Sequence, residues 1–292
     1  MVARWPKCSG VLALAVVAVG CGHTAKVEKN EKLARISVQL GERFLVKNKL
    51  LQAKQEFSKA IKLDPEYLDA FKMLGFVKLM EGLGSLYYID RIQCLKGDEA
   101  QEHREVAQKH FKIAEENLKK AVKMAKKVNK IESESLLWLA NIADHFKRYD
   151  DAVSYAEQGL KHSFYPKRHL LHCAKGWAHY KKREYRKAGE DLRQAVFHEN
   201  KFCLGRYRLA EVYFAKKKYS RAIKELEWTA KQKCPIQEAR YLLGRAYAQK
   251  RSMDQAREQF EKCVKMNPKS CLSKVCERLS RDASGTKVQV AE

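Results

Sequence analysis

The chain lacks what a membrane span, a disordered protein or a common enzyme would show. Its conspicuous apolar run, Val11–Val19, is only nine residues long, whereas crossing a bilayer takes about 20. Proline is scarce, five in 292 residues, which argues against a loop-rich or disordered chain. Acids are too few to balance the bases: 35 Asp and Glu face 59 Lys and Arg, for a formal charge of +24. No Gly-rich phosphate loop occurs, and Gly82-Leu83-Gly84 is only a loop signal. No Cys-x2-Cys or His-Glu-x2-His spacing accompanies the histidines, so nothing calls for a metal or for any cofactor.

What is present begins at the N-terminus. Arg4 and Lys7 form a basic stretch, Val11–Val19 an apolar one, and Gly20 a small residue before Cys21. That order is the layout of a secretory signal, and Ala18-Val19-Gly20-Cys21 resembles the lipobox of bacterial lipoproteins. The resemblance implies removal of residues 1–20 and lipidation at Cys21, with acyl chains such as palmitate giving a stable membrane anchor. Residues 21–31 then read as a polar tether. Removal of Arg4 and Lys7 leaves a charge of +22. In an exported protein that charge points to anionic lipid head groups, acidic proteins or wall polymers rather than nucleic acid; solvated helix backs are the alternative. The most one-sided cluster holds Arg104, Lys109, Lys112, Lys119, Lys120, Lys123, Lys126, Lys127 and Lys130, and reads as one face of a basic helix.

A repeat organises the rest. Leu40-Gly41, Phe44, Ala53, Phe57, Ala60 and Pro65 recur at matching spacings as Leu243-Gly244, Tyr247, Ala256, Phe260, Cys263 and Pro268. Intermediate units keep the frame, and the last three begin near His169, Cys203 and Gln237, each 34 residues apart. This is the tetratricopeptide pattern. It predicts an all-α, right-handed superhelical solenoid of about six helical hairpins, in which small residues sit where helices approach and proline ends the second helix. The units fall at about 34–67, 68–130, 133–168, 169–202, 203–236 and 237–270, with a capping helix at 271–280 and a tail at 281–292. The second unit carries an insertion at about 81–106. Gly82 and Gly84 are expected to break the helix there, and Leu86-Tyr87-Tyr88-Ile89 is apolar enough to pack or to bind. Insertions of this length are often functional; a lengthened helix pair is the plainer expectation.

Candidate chemistry is sparse. His169, His172 and Cys173 could suggest a Cys–His hydrolase, but no orienting third residue is apparent, so no catalytic residue is assigned. The cysteines read better as bridges. Cys203 opens one helix of a hairpin and Cys234 closes the other, so the antiparallel pair brings them together; Cys263 faces the next helix, which carries Cys276. Sequence does not fix connectivity, and an odd number beyond Cys21 leaves at least one thiol over.

In such a solenoid the first helix of each unit lines the concave surface. The repeat frame places Asn141, Asp144, Trp177, Tyr180, Tyr207, Glu211, Phe214, Tyr241 and Arg245 there. Aromatic and Arg residues dominate binding hot spots, so these positions form a candidate groove for a helix or an extended peptide. Some of them could instead belong to the core between helices.

The order of parts, a lipobox at Cys21 followed by about six repeats and little else, resembles the lipid-anchored tetratricopeptide pilotins of type IV pilus systems, the PilF/PilW/Tgl group. Locally, Phe164-Tyr165-Pro166, Gly176-Trp177-Ala178 and Phe202-Cys203-Leu204-Gly205-Arg206 are similar to its later repeats. The resemblance covers about residues 21–280. It implies an outer-membrane lipoprotein facing the periplasm that binds a protein partner, the pilus secretin, as a scaffold and not as an enzyme. Gly22 after the lipid-bearing Cys agrees with outer-membrane sorting. The insertion and the high charge depart from the pattern, and a general envelope adaptor for secretion or wall machinery remains the rival expectation.

Overall fold

The computed structural model describes residues 30–89 and 94–283, so the signal, Cys21, most of the tether and the end of the tail lie outside it. Among the described residues the chain is helical with no strand. The helices are α1 (30–46), α2 (Leu50–Leu63), α3 (Leu68–Tyr87), α4 (Gly97–Lys127), α5 (Ser133–His145), α6 (Tyr149–Leu160), α7 (Arg168–Lys181), α8 (Tyr185–His198), α9 (Cys203–Ala215), α10 (Tyr219–Lys231), α11 (Gln237–Gln249), α12 (Met253–Met266) and α13 (Cys271–Ala283). Helix α1 already includes residues 30 and 31, inside the stretch expected as tether. Helix α13 runs to Ala283, past the boundary expected at 280.

The chain divides into two compact units, residues 1–77 and 78–292, with α3 starting in the first and ending in the second. In the first unit Ala53, Phe57 and Ala60 of α2 close on Ala34 and Val38 of α1 and on Ala70 and Val77 of α3. In the second unit the same frame recurs on every even-numbered helix. The buried sets are Ala114, Leu118 and Ala121; Ala152, Ala156 and Gly159; Ala188, Leu192 and Ala195; Ala222, Leu226 and Thr229; and Ala256, Phe260 and Cys263. Spacings of four and three keep each set on one helical face. Small residues admit the neighbouring helix, and in four of the five sets a Leu or Phe fills the gap; on α6, where all three are small, Leu171 of α7 packs against Gly159 instead.

Helices α5, α7, α9 and α11 touch one another in succession as well as their hairpin partners, whereas α6, α8, α10 and α12 meet only odd-numbered helices. Helices packed closer together lie on the inside of a curved stack. The odd-numbered helices therefore form the concave wall of this unit.

The tight turns share one device. Lys147, Arg183, Lys217 and Arg251 each take a left-handed backbone, with φ between 57° and 61° in three of them and 56° at Lys217. The next amide then reaches back to the helix it has left, as in Arg148 N to Ala143 O at 2.8 Å and Lys218 N to Tyr213 O at 2.8 Å. Five-residue closure of this kind satisfies the last carbonyls of a helix.

The insertion corrects one expectation. Gly82 and Gly84 do not break the chain; both lie within α3. A Cβ built on Gly82 would stand 2.6 Å from the Phe111 ring, so glycine there lets α4 pack close. Helix α4 carries the buried frame twice, first as Ala107, Phe111 and Ala114 and then as Ala114, Leu118 and Ala121. The added residues thus lengthen both arms of a hairpin. At 31 residues, α4 is about 45 Å long. Its cluster from Arg104 to Lys127 is exposed to solvent.

Candidate partner-binding face

Three disulfides tie the second unit: Cys203–Cys234, Cys263–Cys276 and Cys94–Cys271, with Cα separations of 5.8, 6.3 and 5.4 Å. The first closes one hairpin. The second staples α12 to α13. The third joins the connection after α3 to the first residue of α13, 177 positions away. Nothing in the repeat period signals it, because both cysteines lie outside the repeated frame.

This tie brings the inserted hairpin to the concave wall. Tyr87, at the end of α3, lines one cavity of about 720 Å³ together with Trp177 and Lys181 of α7, Leu204, Tyr207, Arg208 and Glu211 of α9, the α10–α11 connection and the start of α11, and Met266 at the end of α12 with Asn267 after it. Gln237 forms part of its base. The Gln237 amide donates to Cys263 O at 2.8 Å and to Ser273 Oγ at 2.9 Å, and its oxygen accepts from Ser270 Oγ at 2.8 Å. That buried network seats α13 on the last hairpin. A shallower hollow between α12 and α13, about 390 Å³, has no aromatic lining.

Trp177 organises the wall. Its ring stacks on Tyr180 at 4.8 Å, and it receives two cations, Lys181 Nζ at 4.6 Å and the Arg208 guanidinium at 4.7 Å from its centroid. Cations are drawn to the negative face of an indole ring. Burial pushes the Asp144 carboxyl up, and Arg208, Lys181 and the Trp177 indole N–H draw it back. Glu211 lies deeper. Burial pushes its carboxyl up to about 7, against the pull of the Tyr207 hydroxyl, Arg208 and Lys181, and with Glu238 raising it further. Burial also raises the Tyr207 hydroxyl and takes that of Tyr180 up to about 12.

Of the residues placed in the groove from sequence, Trp177, Tyr207 and Glu211 line the cavity. Asn141 is exposed on α5 and lies apart from it. Tyr180, Tyr207, Phe214 and Tyr241 also pack against the cores between helices. Arg245 forms a neighbouring stack over Phe214 and Tyr241, at 5.0 and 5.6 Å. Tyr87 belongs to the stretch Leu86–Ile89 that the sequence marks as apolar enough to pack or to bind, though not as part of the groove. Sequence reasoning missed Lys181 and Arg208, which were within its reach, Lys181 lying one turn beyond Trp177 and Arg208 next to Tyr207.

Cys173 is, among the described residues, the cysteine outside a disulfide, and it is buried. Burial pushes its thiol up, while Arg208 donates to its sulfur at 3.4 Å. A protonated, enclosed thiol is a poor nucleophile. His169 packs on Phe202 at 5.0 Å and His172 stacks on His198 at 5.3 Å. Among the described residues no group of three or more His, Cys, Asp or Glu could hold a metal ion, and no helix is long and apolar enough to cross a membrane.

A tetratricopeptide-repeat family model matches residues 103–168 and 207–270. These stretches are tetratricopeptide repeats. The all-helical hairpin stack is accordingly a tetratricopeptide-type solenoid, and repeats of this type form protein-interaction scaffolds. Among curated proteins none matches in sequence. Solved structures do match in fold. PilF of Pseudomonas aeruginosa superposes with a TM-score of 0.66 at 16% identity, over 86% of this chain and 99% of that one. PilW, described as a widely conserved type IV pilus biogenesis factor, gives 0.61 at 14% identity, over 83% and 97%. The Cut9–Hcn1 assembly of the APC/C gives 0.65 at 15% identity, over 90% of this chain but 45% of that one. Identities this low speak for the shared repeat fold alone.

Proposed function

We propose that this repeat protein is a lipid-anchored scaffold of the outer membrane, facing the periplasm, whose concave face binds a protein partner and which assists assembly of a type IV pilus secretin. The observation that carries the reading is the concave cavity around Trp177 and Tyr207, set in a solenoid that matches PilF and PilW over nearly their whole lengths. The lipobox at Cys21 supports the anchor. Three disulfides support an oxidising compartment. The enclosed Cys173 thiol, pushed up by burial, favours binding over catalysis.

Affinity capture from membranes of secretin-producing cells tests the partner. Recovery of the secretin with the wild type, reduced by Tyr207→Ala without loss of helicity, is the expected result. Its reproducible absence sinks the pilotin reading. Cys21→Ala is expected to move the protein from the membrane to the soluble fraction, and retention in the membrane refutes the anchor. The tied insertion and the +24 charge favour one second reading, an envelope adaptor with a different acidic partner. Capture of the same non-secretin protein in place of a secretin would decide for it.

A further inference from the structure

The cavity at the concave wall has a chemical asymmetry that identifies what it takes. Its Glu211 carboxyl lies low, with Oε2 buried from solvent and accepting no hydrogen bond. Asp144, outside the lining, has its Oδ1 buried in the same way. The cations lie high: Lys181 is exposed and Arg208 half-buried, both across Trp177. Glu238 adds a negative charge at the α11 end. Beside the cations stand three large apolar side chains that the fold leaves in water: Tyr87 at 55% exposure, Leu204 at 37% and Met266 at 40%. They come from α3, α9 and α12, yet all three line this one cavity. Exposed apolar groups converging from separate elements mark an interaction site more often than single ones do.

Resting on the reading that the concave face binds protein, we propose that this cavity recognises a short acidic–apolar segment of the partner, with a carboxylate on Lys181 and Arg208 and an adjoining apolar side chain against Tyr87, Leu204 and Met266. The Cys94–Cys271 bond holds the Tyr87 wall in place. A carboxylate arriving over the two cations meets a guanidinium and an ammonium that stand nearer to solvent than the carboxyl beneath them, since Lys181 is exposed, Arg208 half-buried and Glu211 Oε2 buried; burial pushes Glu211 up to about 7 and raises Asp144. The apolar neighbour covers side chains that otherwise face water, and their burial favours the complex. The partner contact is a short motif, because the pinned end of α3 narrows the space available.

A display library of randomised heptapeptides, selected on the oxidised full chain, tests this. Enriched peptides are expected to carry Asp or Glu within two positions of Leu, Phe, Tyr or Met. A synthesised, fluorescently labelled winner should bind at least tenfold more weakly to the Lys181→Gln, Arg208→Gln variant, several-fold more weakly to Tyr87→Ala, and similarly weakly to Cys94→Ser, Cys271→Ser. Lys119→Gln, Lys123→Gln on the basic face of α4 makes the same change in charge and should leave binding unchanged. Because Arg208 also contacts Cys173, Lys181→Gln alone, at an exposed position, serves as the variant that keeps the fold. Enrichment without acids, or equal weakening by the α4 pair, overturns the proposal. Peptides lost with Tyr207→Ala but indifferent to Lys181 and Arg208 overturn the chemistry and leave the scaffold reading standing. Secretin capture that persists in Tyr207→Ala overturns the concave-face reading itself.

Discussion

Replacing Cys94 and Cys271 together by Ala should cost more stability than removing either of the other disulfides. Among the described residues, helix-on-helix packing in the second unit joins mainly helices one or two apart in sequence, so its stack can open from an end one hairpin at a time. The Cys94–Cys271 bond is the exception, closing a loop of 177 residues, against 31 for Cys203–Cys234 and 13 for Cys263–Cys276. Chain-entropy arithmetic gives about 5, about 4 and about 3 kcal/mol for the three. The assay is urea unfolding followed by far-UV circular dichroism without reductant, one paired Ala variant at a time. The variant lacking Cys94 and Cys271 should show the lowest midpoint and a broadened transition. Amide exchange should quicken first in α13, which the tie secures at its first residue. A midpoint above that of the Cys263, Cys276 variant, with the transition as sharp as wild type, would refute the reasoning, since the long loop would then contribute less than the shortest one.

Three further outcomes are expected. Glu211 is raised from 4.5 to about 7 on folding, so the native state holds a proton that the unfolded chain has lost; stability therefore falls as pH rises from about 4.5 to about 7. Glu211→Gln should stabilise by up to about 3 kcal/mol at pH 8 and hardly at all at pH 4, as read from thermal midpoints. Gly82→Ala drives a methyl group into the Phe111 ring and should destabilise by about 1–3 kcal/mol, whereas Gly84→Ala, with nothing within 4 Å of the new Cβ, should stabilise by up to about 1 kcal/mol; differential scanning calorimetry separates the two. Lys217→Gly relieves a left-handed backbone, φ 56°, and should raise stability by about 0.5–1 kcal/mol, checked by the same scans.

Much of this was legible in the sequence, for a physical reason. The set Ala53, Phe57, Ala60 and its counterparts is forced by close helix packing, and a packing constraint repeated every 34 residues can be read as a period. The insertion was harder. Gly82 looks like a helix breaker in isolation, and only the opposing Phe111 reveals it as a contact point. Ala107 and Phe111 repeat the frame seven residues early, which a search for one frame per unit overlooks. The groove was legible by position but not by depth. An aromatic on the inner face of an odd-numbered helix can reach either the concave surface or the next hairpin, and Tyr180, Phe214 and Tyr241 do the latter in part. Lys181 and Arg208 escaped because charged residues are abundant throughout this chain. The bond between Cys94 and Cys271 has no local signature at all.

That bond also bears on how such a chain can change over generations. Arrays of helical hairpins lengthen and shorten by duplication or loss of whole units, because each unit needs only its neighbours. Between Cys94 and Cys271 this freedom is gone. Losing one hairpin there would move Cys271 by about 10 Å, the width of a packed helix, while a disulfide tolerates Cα separations only to about 7 Å. The stretch they enclose is thus fixed at its present number of links, and new or lost repeats can be accommodated only outside it, among residues such as those of α1 and α2.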